Sequence, residues 1–338
     1  MTAEDILEAV ERALEADRAM SMEATWEVAV GLGLPTMLLT EEQGGLGLGL
    51  EAAFAALFAL GRSMNQMPLL PALLAAQAAA SAPASRARDA LTERLAAGEY
   101  VTHPLTPHRL DIGQDGRVSG GVTAVLNAAM ASCIIVRTTH GPALISLATA
   151  GVTVEERHIW DPTRHLFDVR FESVAIETHG LLASGNEAQR VTRALACLEA
   201  LGIAADSLGA ADQSLALTLE YLALRRQFGR PIAMFQAIKH RVADLKVELA
   251  AAEALCWDIA GRGVEGEDAS AAVAAAALAN EAFRNMAEQS IQLHGGIGVT
   301  EEIRAHHFLK RAMLNLALGE RADDAFAAVG RRLLSGAA

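Results

Sequence analysis

Two long runs of apolar residues, separated by one short polar stretch, constrain the fold of this chain more than any other sequence feature. Both runs place apolar side chains at steps of three and four residues, which puts them on one face of an α-helix. The first run contains Val191, Leu195, Leu198, Gly202, Ala205 and Leu208, and the second contains Ile238, Val242, Leu245, Leu249 and Cys256. Between them, the stretch Leu224–Ile232 carries Gly229 and Pro231, residues that end one helix and let another begin. The sequence therefore predicts two long helices joined by a tight turn, which taken alone is a corner with solvated cations.

The composition limits the classes of protein to which the chain can belong. Its 338 residues are 52% hydrophobic, so the chain can bury a large core and divide into two or three domains. The alanine richness and the low aromatic content of 4% favour helices over an all-β fold. The net charge of −13 argues against a nucleic-acid partner, because binding to phosphates needs a basic face.

The cysteines and the apolar runs indicate where the protein works. Cys133, Cys197 and Cys256 are odd in number, far apart and surrounded by apolar residues. We therefore expect buried thiols in a reducing compartment, with neither a disulfide framework nor the spacing of a metal site. The acidic N-terminus is not typical of a signal peptide, and the runs at 69–82 and 271–279 are too short or too rich in alanine to span a bilayer. We expect a soluble, cytoplasmic protein that binds no metal and no membrane.

The periodicity divides the chain into three parts. Residues 1–98 are predicted to be helical, with helices at 26–34, 50–60 and about 69–82, and a glycine-dense loop at 39–49 that lacks the features of a phosphate loop. Residues 99–185 contain short β-branched runs separated by glycines, which predict a small antiparallel β domain. Residues 186–338 return to the helical period and predict an antiparallel bundle of four or five helices. The predicted fold class is thus mainly α with a β insert.

A second unusual stretch, Gln292–Gly298, lies downstream of the first, and the two stretches together resemble motifs of a known protein family. This order of domains, together with Arg225–Ile232, Gln236 and Gln292–Gly298, resembles the acyl-CoA dehydrogenase family of flavoproteins. The stretches at 41–47 and 61–69 also resemble that family, so the resemblance covers nearly the whole chain. The two C-terminal motifs are specific in combination, and either one alone would be weak.

The resemblance implies roles for several residues toward FAD and substrate. It assigns to Arg225 a contact with the pyrophosphate of the FAD of a neighbouring subunit, and a guanidinium group suits that contact because it binds phosphate oxygens in a bidentate manner. It places Gln227, Phe228 and Gln236 beside the same cofactor, and Gln292, Gly295 and Gly296 where backbone must approach it closely. Gly295 and Gly296 also read as an ordinary helix C-cap, and both roles can hold at once. The resemblance further places Thr192 and Arg193 at the acyl pocket and implies that an electron-transfer flavoprotein reoxidises the flavin.

Two departures from the family pattern concern the flavin ring and the catalytic base. The family normally holds the isoalloxazine ring with a Thr-Glu-Pro-x-Ala-Gly-Ser-Asp stretch, whereas residues 100–108 here read Tyr-Val-Thr-His-Pro-Leu-Thr-Pro-His. The family's base is a glutamate, and matching the preceding motif puts either Gly319 or Glu320 at its position, depending on the register. The register decides the matter, because one residue along a helix rotates the side-chain direction by about 100° and only Glu320 carries a carboxylate. The alternative base position, on the helix that carries Arg193, holds Thr192, and Glu199 lies roughly two helical turns further along as a weaker candidate. His306 and His307 read as surface or interface residues.

The chain therefore keeps the residues that act on a neighbour's FAD and lacks those that act on its own. This asymmetry resembles that of some bacterial acyl-CoA dehydrogenases, notably those acting on CoA-linked steroid side chains, which are α2β2 heterotetramers in which one subunit lacks the base. The resemblance therefore implies that this chain is such a non-catalytic subunit. One alternative is a self-sufficient homodimer that uses Glu320 as the base, and another is a flavin-free structural or regulatory relative. The sequence leaves a steroid, a branched and an aromatic acyl group all open.

Overall fold

The structure is a computed structural model that describes residues 2–16, 22–176, 180–263, 269–319 and 322–335. Five helices come first: α1 Ala3–Ala16, α2 Met22–Gly31, α3 Leu50–Ser63, α4 Leu69–Ser81 and α5 Arg86–Ala96. Seven strands follow: β1 Val101–Thr102, β2 Asp111–Ile112, β3 Arg117–Leu126, β4 Cys133–Arg137, β5 Pro142–Ser146, β6 Val152–Arg157 and β7 Leu166–Ala175. The C-terminal part contains α6 Gly185–Leu224, β8 Arg226–Gln227, β9 Arg230–Pro231, α7 Gln236–Arg262, α8 Ala269–His294, α9 Ala305–Asn315 and α10 Ala322–Leu334. The predicted class, mainly α with a β insert, is confirmed.

The N-terminal helices α3 and α4 are buried along almost their whole length and pack against α6. Small residues allow this close approach, because a Cβ atom on Gly209 would lie 2.1 Å from the carbonyl oxygen of Phe58. The predicted second helix at 26–34 is wrong in its extent. Helix α2 ends at Gly31, and Gly33 then adopts a φ of 71°, which starts a separate 3-10 turn at Leu34–Thr36.

The β domain consists of two sheets rather than one. One sheet is wholly antiparallel and has the strand order β2-β3-β7-β6. The second sheet has three strands in the order β1-β4-β5. The predicted antiparallel β domain is confirmed, with one parallel pair that was not predicted: β1 runs parallel to β4, with Val101 opposite Cys133. A parallel pair needs a long crossover, and the chain between 103 and 132, which includes β2 and β3, supplies it.

Helix α6 is the central element of the C-terminal bundle and packs against α3, α4, α8 and α9. It is long and apolar enough to cross a membrane, yet 94% of its most apolar window is buried inside the protein, which marks it as a core helix. The same apolar core includes Phe283 and Met286 of α8 and reaches Leu249 of α7. All three cysteines are free and buried, as predicted.

Candidate functional site

The stretch after α6 forms a β-hairpin between α6 and α7. Strands β8 and β9 are joined by a two-residue loop, Phe228-Gly229, in which φ is 51° and 79°, values typical of a type I′ turn. The amide of Ile232 closes the hairpin by donating a 2.9 Å hydrogen bond to the carbonyl of Arg225. The simple helix–helix corner considered from sequence is thus a projecting hairpin. The side chain of Phe228 is 91% exposed at its tip, which is unusual for a large apolar residue held at a positive φ.

The hairpin and the first turn of α7 carry positive charge without compensation. Between positions 225 and 241 the chain has five arginine or lysine residues and no acidic residue, although its net charge is −13. These five are Arg225, Arg226, Arg230, Lys239 and Arg241, and all are exposed. In the described part of the chain, none of them forms an ion pair. Such a surface favours an anionic partner.

The second motif lies at the same end of the bundle as the hairpin. Helix α8 ends at His294, and a 3-10 turn at Gly295–Val299 follows, with Gly295 at a φ of 66°. Tyr221, one helical turn before Arg225, donates a 3.1 Å hydrogen bond to the carbonyl of His294. Its ring also packs against the His294 imidazole, with centroids 4.5 Å apart. Tyr221 therefore links the two motifs that the sequence presented 60 residues apart.

The predicted cofactor residues in this region are all accessible. Gln227, Gln236, Gln292, Gly295 and Gly296 are exposed, as are Arg225 and Phe228. A Cβ atom on Gly295 or Gly296 would meet no other atom within 4 Å, so their backbone faces open space. An exposed glycine backbone beside unpaired arginines fits an anionic, flat-ringed ligand such as a dinucleotide. The surface formed by the hairpin 225–231 and the turn 295–299 is called the basic edge below.

The two segments that departed from the family pattern meet each other in the structure. The amide of Gly319 donates a 2.7 Å hydrogen bond to the carbonyl of Leu105, within the stretch that replaces the ring-holding loop. The cavity beside this contact has a volume of only about 20 Å³ and is lined by Leu105, Leu126, Leu318, Arg164 and Asp206 among others. That volume holds about one water molecule, whereas sites for cofactors and drug-sized ligands measure roughly 300–1,000 Å³. The cavity between these two segments, called the closed cleft below, is therefore too small for a flavin ring.

A buried cluster of charged residues lies against the closed cleft. Arg311 is fully buried, and it donates hydrogen bonds of 2.9 Å to both Asp161 and Asp206. Asp206 also accepts hydrogen bonds of 2.7 Å from Arg164 and 2.8 Å from Asn315. Burial alone would raise the pKa of Asp206, but the guanidinium groups of Arg311 and Arg164 hold that pKa below its ordinary value. Burial, together with the charge of Arg311, lowers the pKa of Arg164 to about 10.

Sequence reasoning missed this buried cluster, although a signal was present. Asp206 interrupts the apolar face of α6 between Ala205 and Leu208, and Arg311 lies between the buried residues Phe308 and Ala312. Charged residues at positions that periodicity assigns to the core are either paired there or functional.

The candidates for a catalytic base do not form a working constellation in the described residues. Glu320 lies outside these residues. Glu199 is buried and accepts a 2.8 Å ion-paired hydrogen bond from Arg137 of β4, so it is engaged in joining α6 to the β domain. Thr192 is half-buried and Arg193 is exposed, and neither borders the closed cleft as described. Gly319, the position given by one register, has no side chain to act as a base.

Comparisons with known proteins agree with this geometry. The family model for the C-terminal domain of acyl-CoA dehydrogenases matches residues 190–319. Acyl-CoA dehydrogenase IpdE2 of Mycobacterium tuberculosis is 35% identical over 307 residues, which cover 90% of this chain and 84% of that protein. The chain belongs to the acyl-CoA dehydrogenase family.

Two solved structures of this family are similar over nearly the whole chain. The ChsE4-ChsE5 complex from Mycobacterium tuberculosis matches with a TM-score of 0.86 and 25% identity, covering 98% of this chain and 97% of that one. A variant of the Tcur3481-Tcur3483 steroid acyl-CoA dehydrogenase matches with a TM-score of 0.84 and 25% identity, covering 99% of this chain and 98% of the other. This chain is therefore close to steroid-type members of its family, and each of these structures is named for two proteins.

Proposed function

We propose that this chain is the non-catalytic subunit of a heteromeric, FAD-dependent acyl-CoA dehydrogenase, and that it completes an FAD site whose ring-holding loop and base come from a homologous partner subunit. The contrast between the two ends of the potential site carries this proposal. The basic edge is open, charged and unpaired, whereas the cleft beside Leu105 and Gly319 has a volume of only about 20 Å³. A chain with one half of a site open and the other half closed needs a partner for the missing half.

The residues of the basic edge have chemistry that suits FAD. Arg225 would bind the pyrophosphate through its guanidinium group, and the neighbouring positive charges would strengthen that contact at low ionic strength. Phe228 and the amides of Gln227, Gln236 and Gln292 offer an aromatic face and hydrogen-bonding groups beside it. The exposed backbone of Gly295 and Gly296 allows close approach of the cofactor. When bound in the completed site, FAD would accept the hydride from the β-carbon of an acyl-CoA thioester during α,β-desaturation.

The partner follows from the same division of residues. A homologous acyl-CoA dehydrogenase subunit, in an α2β2 assembly, would supply a carboxylate base and the loop that holds the flavin ring. Thr192 and Arg193 are proposed to line the acyl pocket, and an electron-transfer flavoprotein is proposed as the electron acceptor. The similarity to a steroid acyl-CoA dehydrogenase structure favours a CoA-linked steroid side chain as substrate. A cytoplasmic location is proposed because Cys133, Cys197 and Cys256 are all free and buried.

The experiment that tests this proposal is the visible absorption spectrum of the chain purified alone and co-purified with a homologous subunit. We expect the single chain to be colourless and the complex to be yellow, with one FAD per pair of subunits. A single chain that carries one FAD per subunit would instead establish the self-sufficient homodimer, and Glu320 would become the first residue to replace. A chain that carries no flavin alone or in any complex would establish the flavin-free relative.

A further inference from the structure

Three potential metal ligands converge where the connection from the glycine turn enters α9. The ligand atoms of Glu301, His306 and His307 all lie within 4.8 Å of one another, and this is the one such group of three found among the described residues. One carboxylate oxygen of Glu301 is 3.3 Å from Nε2 of His306, and the other is 3.5 Å from Nε2 of His307. The two imidazole rings are 4.2 Å apart between centroids, at an interplanar angle of 70°.

His306 has an unusual environment for a partly buried histidine. Both of its ring nitrogens are buried, and neither makes a hydrogen bond within the described residues. Leaving a buried polar atom without a partner costs about 1–3 kcal/mol, so such atoms normally have a ligand, a water molecule or another role. The carboxylate near Nε2 lies at a suitable distance but not in the geometry of a hydrogen bond.

We propose that Glu301, His306 and His307 form a binding site for a divalent transition-metal ion, with zinc as the best match. Zinc takes imidazole nitrogen and carboxylate oxygen together, often with three protein ligands and an open fourth position. Calcium and magnesium are poor candidates, because they need a shell of oxygen ligands that two imidazoles cannot supply.

The two separations between Glu301 and the histidines are close to those around a small tetrahedral ion, and all three ligand atoms lie within 4.8 Å of one another. Bonds of about 2.0 Å in a tetrahedron place the ligand atoms about 3.3 Å apart, which compares with the 3.3 Å and 3.5 Å contacts between Glu301 and the two histidines. The side chain of Glu301 is 83% exposed, so it can rotate to present one oxygen or both without disturbing the core. His306 and His307 are held by α9, so the nitrogen ligands are largely positioned in advance.

The surrounding charges moderate the expected affinity. The positive charges of Arg304 and Lys310 act on His307 and therefore oppose the binding of a cation there. The positive end of the α9 dipole acts in the same direction. We therefore expect binding weaker than that of a buried structural zinc site. Because bonds from nitrogen are directed, the site should still select transition metals over hard cations.

This inference does not rest on the proposed function, since it uses only residues of this chain. A bound ion would fasten Glu301, in the connection that follows the glycine turn, to the first turn of α9. It would therefore stabilise the folded chain by mass action, and the gain would rise with the concentration of free metal.

The experiment is a calorimetric titration of the full chain, first freed of metal with a chelator, with Zn²⁺ alone. We expect one zinc ion per chain and, with Co²⁺ in its place, the visible d–d absorption of a low-coordinate site. The variants Glu301→Gln, His306→Gln and His307→Gln should each weaken binding at least about tenfold, since loss of even an outer-shell partner costs that much. Zinc should also raise the Tm of the native chain but not that of Glu301→Gln.

Two matched controls make the result specific. Glu302→Gln removes the adjacent exposed carboxylate, and His158→Gln removes an exposed histidine of the β domain, so neither should change zinc affinity. Glu301 is exposed, so its replacement tests the site without endangering the fold. Absence of zinc binding would overturn the proposal and leave an ion pair between Glu301 and the histidines. Binding that survives in both Glu301→Gln and His307→Gln would overturn it as well.

Discussion

Gly319 and Leu105 are joined by a 2.7 Å hydrogen bond from the amide of the first to the carbonyl of the second. The contact connects the segment after α9 with the loop that follows β1, and it lies beside a cavity of only about 20 Å³. In the family these two segments supply the catalytic base and the ring-holding loop. Here they contact each other, and the cavity beside the contact is too small for a flavin ring.

Removal of the Arg225 guanidinium should weaken the hold of the heteromeric complex on FAD. The loss of a charge-assisted hydrogen bond to the pyrophosphate costs about 1.5–3 kcal/mol, which corresponds to a decrease in affinity of roughly 10- to 150-fold. Flavin retained by the Arg225→Ala complex after gel filtration at low protein concentration measures this. Arg170→Ala, which removes an exposed arginine of the β domain, serves as the control. Unchanged flavin content in Arg225→Ala would remove this residue from the FAD site.

Replacement of Phe228 at the tip of the hairpin should raise the stability of the single chain and lower the retention of flavin by the complex. Phe228 has a φ of 51°, and a type I′ turn prefers Asn-Gly at its two central positions. Phe228→Asn should therefore raise the free energy of unfolding of the single chain by up to about 1 kcal/mol. The same variant should lower flavin retention by the complex, because the exposed aromatic face is lost. A rise in stability with full flavin retention would mean that Phe228 makes no contact with the cofactor.

The buried charge cluster should be intolerant of single substitutions. Arg311→Ala leaves Asp161 and Asp206 buried without their main partner, so we expect the free energy of unfolding to fall by about 3–5 kcal/mol. Urea denaturation of the single chain measures this loss. Arg12→Ala removes an arginine that forms an exposed 3.9 Å pair with Glu8, and it should change stability by less than about 1 kcal/mol. Similar losses in the two variants would show that the cluster does not stabilise the fold.

Two histidines of the β domain should make the protein sensitive to acid. His108 donates through Nδ1 to the carbonyl of Thr106 and accepts through Nε2 from the amide of Arg137, so only its neutral form fits both contacts. Burial, opposed in part by the Thr106 contact and aided by Arg137, lowers the pKa of His108 to about 4. Burial also lowers the pKa of His103 well below its ordinary value.

The direction of the pH effect follows from these shifts. Between the unfolded pKa of about 6.5 and the folded value, the unfolded chain binds more protons, so stability is complete above about pH 6.5 and falls as the pH decreases. Each of the two histidines should contribute a slope of at most about 1.4 kcal/mol per pH unit. Urea denaturation from pH 7 down to pH 4.5 should show this decline in the free energy of unfolding. In His108→Gln, the number of protons taken up on unfolding, which sets the slope against pH, should fall by about one. An identical slope in the variant would assign the acid sensitivity to other groups.

The helices and the position of the turn between α6 and α7 could be predicted from the sequence because they depend on neighbours in the chain. Helix α3 was expected to begin at Leu50 and does so, and its predicted end differs by a few residues. The turn after Leu224 was predicted from Gly229 and Pro231, and its arginines, glutamine and aromatic residue were assigned correctly to one exposed element. Periodicity and turn residues act over a few positions, so a linear sequence contains enough information for them.

The decisive features of the site come from contacts between distant residues, and no local pattern encodes those. Gly319 meets Leu105 across more than 200 positions, and Arg311 pairs with Asp161 across 150. The parallel pairing of β1 with β4 and the convergence of Glu301 with His306 and His307 also depend on how the elements pack. The sequence by itself determined the family, the order of the helical and β parts, and the position of the charged turn. Only the tertiary structure decided that the cleft is closed, because burial and long-range pairing, rather than the identity of any one residue, fill it.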